Sequence, residues 1–176
     1  MIEVLVSDEI IDYAIEMTRR YKDTKWENSI ASGEGTFSGF IGKKLVSQYL
    51  KTDLHINPSF DMICRSHRVK VKSKRTTVTP SKNYAVDVEA TCAHQSCDWY
   101  VFVRVIERPP IKAWILGYFP RLEFLTTAKY YRKGDVVNSN QFIIKANCYE
   151  MVISDLRDFK NLLSTGMQKT LDGVYK

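Results

Sequence analysis

From Ser59 to Arg75 the chain reads SFDMICRSHRVKVKSKR, with apolar and polar residues alternating through Phe60, Asp61 and Met62 and again from Val69 to Lys72. A period of two marks strands with one buried face. Arg65 and Ser66 stand between the runs as the reversal, without the Asn-Gly or glycine chemistry of the commonest tight hairpins. A turn centred there sets Asp61 opposite Lys70, Met62 opposite Val69 and Phe60 opposite Val71. It also gathers Asp61, Lys70 and Lys72 on one face of the sheet.

The same reading extends along the chain. Met1 to Val6 is a short strand or an extended lead-in. Ser7 caps a helix to about Tyr21, with Ile10, Ile11, Tyr13, Ala14 and Met17 at helical spacing and Asp8 and Glu9 at its positive end. Asp23 to Thr36 is a polar connection. A second helix runs from about Phe37 to Leu50, where Gly39 and Gly42 cost about 1 kcal/mol each and point to close approach of a neighbouring element. Tyr84 to Ala90 alternates again, with Asp87 and Glu89 on one face. The continuous apolar runs Asp98 to Ile106 and Ile111 to Phe119 are strands buried on both faces. Pro109-Pro110 turns between them. A short helix over Leu122 to Tyr130 follows, then a turn at Gly134-Asp135 and a short strand over Gln141 to Lys145. A closing helix over Asp155 to Leu163 begins at Ser154. The fold class is therefore α/β, a mixed central β-sheet flanked by helices, in a single domain over residues 1–176.

Composition narrows the function. An apolar content of 44% with 26% charged residues is that of a globular protein, and no apolar run approaches the length of a membrane span. The first residues lack the basic segment of a secretory signal, so a cytoplasmic setting, including that of an infected host cell, is expected. Twenty-six Lys and Arg against 20 Asp and Glu leave a charge of +6, compatible with a polyanionic partner. Cys64, Cys92, Cys97 and Cys148 are too few and scattered for a disulfide scaffold. Cys92, His94 and Cys97 lack zinc-finger spacing, so free thiols are the better account. Gly42-Lys43 is not a phosphate-cradling loop, because Phe37 and Lys44 occupy positions that need glycine and a hydroxyl residue.

Asp61 followed by Lys70-Val71-Lys72 resembles the core of the PD-(D/E)XK nucleases, the restriction-endonuclease-like fold. Gly39-Phe40-Ile41-Gly42-Lys43 resembles their helical G-x-x-G-E segment. The resemblance runs from about Gly33 to Ile106, and implies a nuclease-like core over about 33–119 with a C-terminal extension over about 120–176. It implies a Mg²⁺-dependent DNA endonuclease with Asp61 as metal ligand and Lys72 as catalytic lysine. Lys70 stands where the second carboxylate belongs, and Lys43 where the helical glutamate belongs. Glu34 is a candidate displaced metal ligand, with Asp87 or Glu89 as alternatives. Lys43, Lys44, Arg65, Arg68, Lys74 and Arg75 are candidate phosphate contacts to DNA. Homo-oligomerisation is left open.

Charge arithmetic then bears on activity. An ammonium about 4 Å from a dication is repelled by roughly 8 kcal/mol at an effective dielectric near 20, which weakly held Mg²⁺ does not offset. Lys70 is expected to pair with Asp61 instead, giving a weakened or inactive nuclease. The alternatives are a non-catalytic nucleic-acid-binding module or a protein-interaction module on the same fold. A charge reversal at Lys43 and Lys70, natural or engineered, fits the same pattern.

Overall fold

The computed structural model describes residues 1–21, 37–55, 57–137 and 142–164. The connection over 23–36, Glu34 within it, Gln141 and the tail from Thr165 lie outside the described residues. The elements are β1 (Ile2–Leu5), α1 (Asp8–Arg20), α2 (Phe37–Leu50), β2 (Met62–Cys64), β3 (His67–Arg75), β4 (Ala85–Glu89), β5 (Trp99–Ile106) and β6 (Lys112–Pro120). α3 (Arg121–Thr127), β7 (Lys129–Tyr131), β8 (Val136–Val137), β9 (Phe142–Ile143), β10 (Cys148–Val152) and α4 (Lys160–Ser164) follow.

The protein is a mixed α/β fold. Its main sheet has the order β1-β6-β5-β3-β2. Only β3 and β5 are parallel; the other neighbours are antiparallel. β5 and β6 hold interior places, as their unbroken apolar sequences require. Alternation along the strands divides the interior into two cores. Val69, Val71, Val101, Val103 and Val105 face Ile41, Leu45 and Val46 of α2, with Ile10 and Ala14 of α1 in the same cluster. Tyr100, Phe102, Trp114 and Leu116 fill the opposite face with Phe124, Val86, Val88 and Met151. That second face is covered by a three-stranded sheet of order β4-β10-β7. Among the described residues no helix is long and apolar enough to cross a membrane.

The β2–β3 hairpin carries the expected register, Met62 opposite Val69. Its two-residue turn places both Arg65 and Ser66 in the left-handed region, at φ 50° and 69°. This is the backbone twist that joins adjacent strands most tightly, reached here without glycine. The ladder, however, ends at Met62. Asp61 lies one residue outside it, and Phe60 does not pair with Val71 in it.

α2 spans the expected residues and lies against β3 at Gly42. A Cβ there would sit 2.0 Å from Ser73 Oγ, so the absent side chain sets how closely helix and sheet approach. The Ser7 carbonyl accepts the N–H groups of Ile10 and Ile11, while its side chain makes no capping hydrogen bond.

The C-terminal third differs most from the sequence expectation. A helix over 155–163 is not formed. Residues Ile153–Asp155 make a single 3₁₀ turn, and only Lys160–Ser164 is α-helical. β10, which the alternation did not reveal, pairs with β4 along five residues. Tertiary pairing overrides the helical spacing here: Arg157 and Tyr118 exchange both backbone hydrogen bonds at 3.0 Å. The register of β5 against β6 shifts between Phe102 and Val103, and Gly117 lies under the returning chain. A Cβ on Gly117 would lie 2.6 Å from the Arg157 carbonyl oxygen.

Candidate functional site

Two backbone hydrogen bonds hold Asp61 before its carboxylate is considered. Its N–H donates to Val69 O at 2.8 Å, and its carbonyl accepts the His55 N–H at 2.7 Å. The carboxylate then takes over where β2 stops. Oδ2 accepts the Val71 N–H at 2.8 Å, satisfying a β3 donor beyond the end of the hairpin ladder. Oδ1 receives Lys43 Nζ at 3.0 Å and Lys70 Nζ at 3.3 Å. Lys43 comes from α2 on the helix-covered side. Lys70 leaves β3 on the face opposite Val69 and Val71. One oxygen at the sheet edge thus joins ammonium groups from both faces.

Asp61 is 1% exposed and Lys70 9%. Burial pushes the Asp61 carboxyl up, but Lys43, Lys70 and the Val71 N–H more than reverse this and hold it below its ordinary range. Burial depresses the Lys70 ammonium most. Asp61 pulls it back, and Lys43 and Lys72 add to the depression, so it stays below the usual lysine range.

Lys72 is engaged elsewhere. Its Nζ donates to Gln95 Oε1 at 3.0 Å and lies 5.5 Å from the centre of the Tyr100 ring. Gln95 Nε2 donates in turn to Pro58 O at 2.9 Å, and Lys70 Nζ reaches that same carbonyl at 3.1 Å. A continuous polar chain results, from Lys43 through Asp61, Lys70, Pro58 and Gln95 to Lys72. Gln95, 5% exposed, was not a candidate in the sequence. It sits in a loop between two cysteines, and its partners are 37 and 23 residues away, beyond the reach of any local pattern.

Charge and hydrogen bonding already occupy the one carboxylate that these described residues would offer a divalent cation. Asp61 is a single carboxylate with both oxygens already accepting hydrogen bonds, and two ammonium groups crowd one of them. Asp87 pairs with Lys74 at 2.6 Å, and Glu89 accepts the Thr91 hydroxyl at 3.0 Å. Among the described residues no cluster of three or more His, Cys, Asp or Glu is placed to hold a metal ion. The four cysteines are buried free thiols, and burial pushes Cys97 up to about 11.

The remaining basic candidates all have intramolecular partners. Lys44 pairs with Glu9 at 3.3 Å and lies over the Tyr13 ring. Arg68 meets Asp98 at 3.4 Å, and Arg75 meets Glu107 at 3.7 Å. Arg65 donates to the carbonyls of Leu162 and Leu163. Lys74 and Arg75 nevertheless remain largely exposed at the end of β3. No protein-family model matches the chain, and no curated protein matches it.

Proposed function

We propose that the chain is a PD-(D/E)XK-type, restriction-endonuclease-like domain whose metal-dependent DNA endonuclease site is neutralised, leaving a nucleic-acid-binding protein with weak or no cleavage. The hairpin supports the fold part of this reading, with Asp61 one residue before β2 and Lys70-Val71-Lys72 on β3. So does the laying of the Gly42-Lys43 segment of α2 against β3. The observation that carries the functional part is the meeting of Lys43 and Lys70 on one oxygen of Asp61. Mg²⁺-assisted phosphodiester hydrolysis needs at least two anionic ligands to hold the ion and lower the pKa of the attacking water. Here the places of both missing carboxylates carry positive charge.

The test is reversal. The Lys43→Glu/Lys70→Glu double variant, assayed on plasmid DNA with Mg²⁺ or Mn²⁺, should nick or linearise DNA where the parent does not. A folded double variant without cleavage would overturn the nuclease ancestry. A second reading, a protein-interaction module, draws on the internal pairing of Lys44, Arg68, Lys74 and Arg75 with carboxylates of the same chain. Duplex binding that barely changes across moderate salt would favour it, because phosphate contacts release counterions and weaken steeply.

A further inference from the structure

We infer that the cleft between the end of β6, the α3–β7 junction and β10 is a site for a small organic cation, a primary ammonium carried on an aromatic or apolar stem. The cleft measures about 400 Å³, a size that encloses a small molecule. Phe119, Tyr131 and Met151 supply apolar lining, and Glu150, Asp155 and Lys129 supply charge. It shares no residue with the hydrogen-bonded chain from Lys43 to Lys72, so it stands or falls apart from the nuclease reading.

The lining decides the sign of the ligand. Two carboxylates face one ammonium, which leaves a net negative charge. Glu150 stands directly opposite Asp87 of β4 on one side and Lys129 of β7 on the other. Lys74 Nζ is committed to Asp87 at 2.6 Å, and Lys129 Nζ lies over the Tyr131 ring, 4.6 Å from its centre. Among the described residues no ion pair reaches Glu150, and burial together with the Asp87 carboxylate pushes its carboxyl above the ordinary range. An anion entering the cleft would meet two carboxylates. A neutral apolar molecule would bury Glu150 further without a counter-charge. A cation relieves both. The aromatic walls favour the same sign, because ring faces attract cations within about 6 Å. Lys129 already takes such a place at Tyr131, and the Arg157 guanidinium lies 5.2 Å from the centre of the Phe119 ring. Lys129 is exposed, so its ammonium can withdraw into water and leave the Tyr131 face to a ligand.

The experiment titrates the full chain calorimetrically at neutral pH with probes of one shape and different charge: 2-phenylethylamine, 2-phenylethanol and 3-phenylpropionate. The amine should bind about tenfold more tightly than the alcohol, and the carboxylate more weakly still. Glu150→Gln keeps the shape of the side chain and should weaken amine binding about tenfold while leaving the alcohol unchanged. Asp155→Asn should weaken amine binding in the same direction. Asp12→Asn, at an exposed carboxylate of α1, should leave it unchanged. Lys129→Gln carries the opposite sign: it vacates the Tyr131 ring and removes the positive charge of the lining, and should tighten amine binding about threefold. Damage to the fold does not produce such a gain, so this variant remains decisive if Glu150→Gln folds poorly. Equal affinity of the parent for amine and alcohol, unchanged amine affinity in Glu150→Gln, or weaker amine binding in Lys129→Gln would overturn the site.

Discussion

Asp61 performs two tasks with one side chain: Oδ2 closes a backbone donor of β3, and Oδ1 neutralises lysines from two sides. Removing its charge while keeping its shape separates them. Asp61→Asn leaves Lys70 buried without a counter-ion and should destabilise the fold by about 3–5 kcal/mol, read as a lower urea midpoint at unchanged m. The pH dependence has a defined sign. The folded-state carboxyl titrates below its ordinary 3.8, so its stabilising contribution is complete above that value and is lost as pH falls through the folded-state value. The stability difference between parent and Asp61→Asn should therefore be flat from neutral pH to about 4 and shrink below it. At this scale the alternation of Phe60-Asp61-Met62 and Val69-Lys70-Val71 was enough to pair Asp61 with Lys70. It could not show that Lys43 shares the same oxygen, because helix-to-edge distance is set by tertiary packing.

Among the elements, the contact of α2 with β3 is the most sequence-legible and the most exacting. Glycines inside an apolar helix signal close approach, and Gly42 meets Ser73 across the shortest gap. Gly42→Ala should cost about 1–2 kcal/mol net, since overpacking outweighs the roughly 1 kcal/mol gain in helix propensity. Ser73 Oγ is buried and has no hydrogen-bond partner among the described residues. Ser73→Ala should therefore be well tolerated alone and should recover part of the loss in the double variant, a coupling that a thermal-melt cycle would measure. β10 was illegible for the opposite reason. CYEMV shows weak alternation, and the periodicity just after it imitates a helix. What decides its state is a partner, β4, that lies about sixty residues earlier in the chain.

At the scale of the whole molecule, residues 151–162 close both cores. Met151 and Ile153 pack into the core beneath β4 and β10, whereas Phe159 and Leu162 enter the core beneath the helices. The chain passes from one face to the other at the Tyr118–Arg157 bridge. Truncation after Pro120 should therefore give a protein without a cooperative urea transition and with weakened near-UV circular dichroism, rather than a free-standing core over 33–119. A sharp transition in that fragment would make the later residues an appendage.

Arg65 connects these scales. Its guanidinium, at the tip of the β2–β3 hairpin, holds the carbonyls of Leu162 and Leu163 at 3.1 and 2.9 Å. The hairpin that spaces Asp61 from Lys70 is thus tethered to α4, far away in sequence. Anything that pulls that helix loose, such as a protease or a competing surface, would slacken the tip first. The geometry of the charged centre would change next, without any direct contact to it.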